Sequence, residues 1–174
     1  MNKRESQERN EELEVGYFQS PIGVFEIKGT TKGVQSVKLQ TDLKTSPFDH
    51  IPACLKQCVD QLAEYFSGKR DNFTVRLDLS AGTIFNQSVW NELLAIPYGR
   101  TTTYLKIAEK IGNPKAVRAV GLANKHNPIA IIVPCHRCIA TNGDLQGYFY
   151  GLDIKRQLLE LENPMSFARQ GSLF

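Results

Sequence analysis

The hydrophobic pattern changes its period near residue 80, and this change limits the possible folds more than any other feature of the sequence. Before it, apolar and polar residues alternate in short runs, the period of half-buried strands; after it, apolar residues recur at helical spacing. With 174 residues the chain can hold two small domains. We therefore predict an α/β (α+β) protein whose units meet at Ser80-Ala81-Gly82, with 1–14 as a charged flexible terminus and 166–174 as a tail.

Residues 15–80 predict a small α/β domain. Alternating apolar residues in 15–40 indicate strands joined by turns. Helical spacing of apolar residues over 51–66 indicates a helix, and Gly68 ends it. Strict alternation over 73–79 predicts one more half-buried strand.

Residues 81–165 predict a mainly helical domain. Its first helix is followed by a second, which Thr103 can cap and Gly112 ends. Asn113 and Pro114 begin a third helix at once, as its cap and its first residue. So tight a connection indicates a helix-turn-helix, with an ordinary helical hairpin as the alternative.

Two further elements follow in this domain. Residues 141–144 have the composition of a hairpin turn and predict a wing-like ribbon. A last helix is predicted to be capped by Asp153 and to end at Asn163-Pro164.

Basic charge is concentrated around the third helix. Seven Lys and Arg residues and a single Glu lie between residues 99 and 137, although the whole chain carries a net charge of only +3. This asymmetry indicates a polyanionic partner, with a solvated basic face as the alternative. Small residues on the same helix permit close approach, so we infer DNA binding with little sequence preference. The candidate DNA-binding residues are Lys115, Ala116, Arg118, Ala119, Gly121 and, in the cap of the preceding helix, Thr103.

Composition points to an intracellular protein. No apolar run reaches the length of about 20 residues that a membrane helix needs, and the N-terminus lacks the pattern of a secretory signal. We therefore expect no membrane association, a cytoplasmic location (nuclear in a eukaryote) and four reduced cysteines. Cys135 and Cys138 could form a redox pair or half of a zinc site, with Cys54 and Cys58 as the other half. Because the latter two also fit a helix core, we expect no metal.

The candidate nucleophile is Cys135. It follows five apolar residues, 129–133, and Pro134, and it precedes His136 and Arg137. An imidazole and a cation beside a thiol lower its pKa and make it reactive, so this pattern indicates a nucleophilic cysteine. The alternative is an inert core thiol.

The last helix offers a partner for the histidine. Glu162 falls within the apolar arc of that helix, and a carboxylate on a buried face needs a partner. The partner could be a backbone amide or an arginine, or it could be His136, which would complete a Cys-His-Glu relay.

Several motifs together resemble one known family, the O6-alkylguanine-DNA alkyltransferases. They are 96–104 (IPYGRTTTY), 112–121 (GNPKAVRAVG), 127–128 (NP), 134–137 (PCHR) and 151–162 (GLDIKRQLLELE), with a weaker match at 20–23 (SPIG). The resemblance implies a ribonuclease-H-like N-terminal domain and a winged-helix-like domain that enters the minor groove of double-stranded DNA. It also implies that the alkylated base is flipped out into a pocket.

The same resemblance implies the chemistry. Cys135 would take the alkyl group from guanine O6, or from O4 of thymine, in an irreversible reaction of a monomer that acts once and needs no cofactor. His136, oriented by Glu162, would remove the thiol proton through a water molecule. Tyr104 would donate to guanine N3, and Asn127 would tie the cysteine segment to the recognition helix. Arg118 would fill the place of the flipped base in the stack.

The substrate pocket is where the sequence departs from the family. We assign Pro134, Cys138, Tyr148 and Phe149 to it. Cys138 stands where relatives carry Val or Ile, and aromatic residues at 149 and 150 replace a small residue and a glycine. These departures concern the range of alkyl groups rather than the reaction. Two other functions compete: a non-enzymatic protein that binds alkylated lesions, which would lack the cysteine, and a winged-helix regulator that senses redox state or zinc.

Overall fold

An antiparallel sheet and one helix form the N-terminal unit. The computed structural model describes residues 12–44 and 50–167, so most of the predicted flexible terminus and of the predicted tail lies outside the described residues. The sheet has the order β1-β2-β3. Its elements are β1 (Glu14–Ser20), β2 (Gly23–Thr30), β3 (Gly33–Gln40) and α1 (Ala53–Phe66). Burial alternates over residues 25–28 of β2 as the sequence predicts, but not along β1.

The core of this unit lies between the sheet and α1. Phe25 and Ile27 of β2 and Leu55 and Leu62 of α1 are all buried and belong to one hydrophobic cluster. The pattern follows from period 2 in the strand and a period near 3.6 in the helix.

The predicted strand over 73–79 is wrong. This segment forms only an isolated bridge, in which Val34 N–H donates to Arg76 O at 2.9 Å and Asp78 N–H donates to Val34 O at 2.8 Å. The reason is that the free edge of β3 is shared. Further along, Val37 N–H donates to Pro128 O at 2.9 Å and Ala130 N–H donates to Val37 O at 3.0 Å, so the C-terminal unit occupies the rest of the edge.

Five helices, two short strands and two 3₁₀ turns form the C-terminal unit. Its elements are α2 (Ile84–Leu94), β4 (Thr102–Thr103), α3 (Tyr104–Lys110), α4 (Val117–Lys125), β5 (Cys138–Ile139), α5 (Leu152–Glu162) and α6 (Pro164–Phe167), with 3₁₀ turns at Pro114–Ala116 and Cys135–Arg137. The two-part mixed α/β architecture that the change of period predicts is confirmed.

The helix ends test the predicted caps. Thr103 caps α3 by accepting from Lys106 N–H, and Gly112 has a positive φ of 75°, the left-handed conformation that commonly ends a helix. Asn113 makes no capping hydrogen bond with its side chain, and a 3₁₀ turn precedes α4. Asp153 is not the cap of α5 either, because the helix begins at Leu152 and Asp153 lies in its first turn.

The predicted wing is a turn without a ribbon. Ala140 N–H donates to Asp144 O at 3.1 Å, which closes the turn. However, β5 pairs in parallel with β4, and residues 145–151 form no strand. The reason is that side chains bind this segment instead: Gln146 O accepts from Tyr104 and from Lys155.

The contact between Gly82 and Trp90 gives a test of core packing. Trp90 Nε1 donates to Ala123 O at 2.9 Å, which holds the indole between α2 and α4, and a Cβ at residue 82 would overlap its ring. We expect Gly82→Ala to lower the free energy of unfolding by about 1–3 kcal/mol, since overpacking displaces a pinned ring. Urea unfolding followed by Trp90 fluorescence measures this. Gly121→Ala is the control, because its Cβ meets nothing within 4 Å. An unchanged midpoint for Gly82→Ala would contradict the packing.

Candidate active site

The cysteine segment is buried and tightly turned. Residues 129–133 are all buried, and Cys135, at the start of a 3₁₀ turn, is only 5% exposed. Ile131 has a φ of 71°, which is costly for a β-branched residue. Backbone strain of this kind persists only where the surroundings hold it, and here β3 holds the segment through Val37.

Two asparagines from α4 and its C-terminal end bind this segment. Asn127 Nδ2 donates to Val133 O at 2.8 Å and to Cys135 Sγ at 3.1 Å. Asn124 is buried and donates to Cys135 O at 3.1 Å. The thiol is therefore tied to the helix that carries the basic residues.

His136 and Glu162 form a buried pair. His136 Nε2 lies 2.7 Å from Glu162 Oε1, and both side chains are buried. Because a carboxylate only accepts, Nε2 carries the proton and Nδ1 is left as an acceptor. Nδ1 is buried and has no hydrogen-bond partner among the described residues. Burial lowers the pKa of His136 and outweighs the opposing effect of Glu162, so the imidazole is neutral and can take up a proton.

The Glu162 carboxylate contacts all three partners that the sequence allowed: a backbone amide, an arginine and His136. Arg137 donates from Nε to Oε2 at 2.8 Å and from Nη2 to Oε1 at 3.0 Å. Gly99 N–H donates to Oε2 at 3.2 Å, and Tyr65 of the N-terminal unit donates to Oε1 at 2.7 Å. Burial alone would raise the pKa of Glu162, but His136 and Arg137 hold it at about 2, so the carboxylate is charged.

The predicted activation of the thiol by Arg137 is wrong. Arg137 binds Glu162 and Ile96 O and makes no hydrogen bond to Cys135. Burial raises the pKa of Cys135, and the hydrogen bond from Asn127 and the charge of Lys155 only partly oppose it. The resting cysteine is therefore a thiol, and a base must remove its proton when it reacts.

Lys155 is a site residue that the sequence analysis missed. It is 0% exposed and donates to Cys138 O at 2.6 Å and to Gln146 O at 2.7 Å. Burial lowers its pKa to about 8, so it is mostly charged at neutral pH. Its helical spacing to Leu158, Leu159 and Glu162 places it on the buried face of α5, and this spacing was the signal available in the sequence.

A cleft of about 540 Å³ opens between α4 and the segment 146–149. Tyr104, Tyr148 and Phe149 line it, and the Tyr104 hydroxyl donates to Gln146 O and Gly147 O at 3.1 and 3.2 Å. The other two predicted pocket residues do not line this cleft. Cys138 is fully buried in β5, and Pro134 borders a separate groove between the two units.

The predicted DNA-binding residues lie on and beside α4. Lys115, Arg118 and Ala119 are exposed, and Ala116 and Gly121 are half-buried. Within the described part of the chain, neither Lys115 nor Arg118 forms an ion pair or hydrogen bond through its side chain, so both cations are available. The Thr103 hydroxyl is occupied as the cap of α3.

The remaining cysteines form no cluster. All four are free thiols, and Cys58 is buried in α1. Over residues 12–44 and 50–167 no group of three His, Cys, Asp or Glu side chains could hold a metal ion. Likewise, no helix in these ranges is long and apolar enough to cross a membrane.

Comparisons with known proteins cover both units. Residues 13–79 match the model of the 6-O-methylguanine DNA methyltransferase, ribonuclease-like domain, and residues 84–164 match that of its DNA binding domain. The methylated-DNA–protein-cysteine methyltransferase of Methanosarcina acetivorans is 49% identical over 149 residues, 83% of this chain and 95% of the relative. That of Mycobacterium tuberculosis is 49% identical over 152 residues, 86% and 92% of the two chains.

Two solved structures of this family are similar to the chain over most of its length. The crystal structure of Mycobacterium tuberculosis O6-methylguanine methyltransferase matches with a TM-score of 0.78 at 45% identity, over 89% of this chain and 95% of that one. The structure of the Mycobacterium tuberculosis protein in complex with DNA matches with a TM-score of 0.77 at 47% identity, over 85% and 91%.

The buried charge of Lys155 predicts an effect on the thiol. We expect Lys155→Met to raise the pKa of Cys135 and to slow its alkylation by iodoacetamide several-fold at neutral pH, because a nearby positive charge favours the thiolate. Above about pH 8 Lys155 itself loses its proton, so the difference should shrink there. Peptide mass spectrometry gives the rate at each cysteine, and Lys106→Met on exposed α3 is the control. Equal rates for Lys155→Met and the unaltered protein would contradict this role.

Proposed function

The chain belongs to the methylated-DNA–protein-cysteine methyltransferase family, which repairs DNA by transferring an alkyl group to a cysteine of the protein itself, and we propose that this cysteine is Cys135. The observation that carries the proposal is that the buried Cys135 is followed at once by His136, a neutral imidazole that is paired with the buried, charged Glu162. A second thiol, Cys138, is fully buried, and burial raises its pKa to about 12.

The reaction that we propose is an in-line displacement. The Cys135 sulfur forms a bond to the alkyl carbon while the bond from that carbon to guanine O6 breaks, and its electron pair stays on the base. The thiol proton passes, through a water molecule, to His136 Nδ1, whose other nitrogen is held by Glu162. The product is a stable thioether, so each molecule acts once.

Tyr104 is proposed to assist the leaving base. Its hydroxyl lies at the cleft, and burial raises its pKa, so it stays a proton donor. On binding, the hydroxyl would turn from the carbonyls of Gln146 and Gly147 to N3 of the flipped guanine and offset its growing negative charge. Tyr148 and Phe149 would enclose the alkylated base in the same cleft.

The DNA surface that we propose is the exposed face of α4 with the preceding 3₁₀ turn. Lys115 supplies charge for phosphates, and the small side chains of Ala116, Ala119 and Gly121 allow approach to the minor groove, with Thr103 beside them. Arg118 is proposed to enter the stack where the flipped base was. The related structure solved in complex with DNA supports a DNA partner. We further propose a monomer in an intracellular compartment, in keeping with four free thiols.

Replacing the nucleophile tests the proposal directly. Cys135→Ala should abolish transfer from an oligonucleotide that contains O6-methylguanine, while its affinity for that DNA stays within about threefold, because α4 is untouched. Intact mass before and after mixing shows whether one methyl group is gained. Cys138→Ala is the matched control and should still be methylated. Methyl transfer by Cys135→Ala would overturn the assignment, whereas DNA binding without transfer by the unaltered protein would favour a non-enzymatic lesion binder.

Arg118 gives a separate test of base flipping. Arg118→Ala should slow transfer from duplex DNA by roughly tenfold or more, because unstacking a base costs a few kcal/mol that an inserted side chain offsets. Transfer from free O6-benzylguanine should change little, since that substrate needs no extrusion. Lys115→Ala is the comparison, because a phosphate contact should weaken DNA affinity and its salt dependence instead. Equal losses on both substrates for Arg118→Ala would refute the flipping role.

A further inference from the structure

A hydroxyl from the N-terminal unit reaches the catalytic carboxylate. Tyr65, near the end of α1, is fully buried and donates to Glu162 Oε1 at 2.7 Å across 97 residues of sequence. This is the oxygen that His136 Nε2 also meets at 2.7 Å. The His136–Glu162 pair therefore has a contact outside the unit that carries it.

The hydroxyl is held in place by the ring that bears it. The Tyr65 ring packs edge-on against Phe66 and Tyr98, with centroids 5.3 and 6.1 Å away, and lies 5.6 Å from Phe73. Burial, and then the charge of Glu162, raise the pKa of Tyr65 well above its ordinary value, so it is a donor at every working pH. A ring fixed on three sides presents its hydroxyl in one direction.

That direction matters for the histidine. Tyr65, His136 and Arg137 all donate to Glu162 Oε1. Because Tyr65 occupies one side of this oxygen, His136 Nε2 can reach it only from a limited range of directions. Since Nε2 and Nδ1 belong to one rigid ring, the orientation of the carboxylate also sets where Nδ1 points. Each donated hydrogen bond in addition lowers the affinity of the carboxylate for a proton.

We propose that Tyr65 is a positioning residue for alkyl transfer, through which the N-terminal unit orients Glu162 and keeps His136 able to accept the thiol proton. This rests on the proposed function, in which His136 is the base for Cys135. Losing the hydroxyl would let the His136–Glu162 pair hold a proton more tightly. The base would then be neutral only at higher pH, so activity would be lost from the acid side first.

Other charged and titratable groups surround the pair and stay in place in the test. Arg137 contacts Glu162 directly. The charge of Glu162 also contributes to the raised pKa of Tyr98, in the segment 96–100, and of Tyr148, in the segment 146–151. Lys155 of α5 acts on His136. A change limited to Tyr65 therefore reports on its own hydrogen bond.

The test is the pH dependence of single-turnover transfer by Tyr65→Phe. We expect a rate roughly tenfold lower at neutral pH, the effect of losing a hydrogen bond to a charged group, with the acid limb moved to higher pH and recovery on the alkaline side. Tyr98→Phe is the matched control, because its hydroxyl donates at 3.2 Å to the backbone oxygen of Leu161 rather than to a carboxylate, and its profile should keep the original acid limb. Circular dichroism checks that each variant is folded.

The outcomes separate the proposal from the function on which it rests. If the unaltered protein transfers no methyl group, the proposed function itself is wrong. Normal transfer by the unaltered protein, with a Tyr65→Phe profile that superimposes on it, would show that Tyr65 serves stability alone. A double variant adds an independent measure: if Tyr65 acts through Glu162, Tyr65→Phe should slow Glu162→Gln little further. Full additivity of the two losses would overturn the proposal even if Tyr65→Phe were unstable.

Discussion

The neutralisation of one buried carboxylate holds the site together. A charged Glu162 without partners would be strongly destabilising in the interior. The structure meets this constraint with four donor residues from three places: Tyr65 in α1, the amide of Gly99, and His136 and Arg137 in the 3₁₀ turn. The hydrogen bonds of this carboxylate therefore join both units and the cysteine segment.

The cysteine itself is restrained rather than activated. The edge of β3 holds the segment before it, Asn127 contacts its sulfur, and Lys155 holds the carbonyl of residue 138 just beyond it. Burial keeps the thiol protonated at rest, which suits the proposed role of a nucleophile that is used once, because an exposed thiolate would react with other electrophiles. In the proposed reaction, the neutral imidazole of His136 takes up the thiol proton when Cys135 reacts.

One helix, α4, carries part of the basic surface and also contacts the cysteine segment. The helix α4 presents Arg118 on its exposed face, while Asn124 on its buried face binds Cys135 O. Tyr104, at the start of α3, lines the cleft beside α4 and leads out of β4, which pairs with β5 directly after the cysteine turn. The proposed DNA surface and the proposed nucleophile are therefore joined by hydrogen bonds from α4.

The sequence by itself determined the features that depend on neighbours along the chain. The change of period near residue 80, the Thr103 cap and the face of α5 that carries Glu162 follow from local geometry, and the spacing of the motifs indicated the family. Tertiary structure alone decided the rest. The alternating run at 73–79 is no strand, because another segment occupies part of its partner edge. Arg137 forms an ion pair with Glu162 and does not stabilise a thiolate at Cys135. Tyr65 contacts the site from the N-terminal unit. Hydrogen-bond partners and desolvation depend on which groups meet in space, and no local pattern records them.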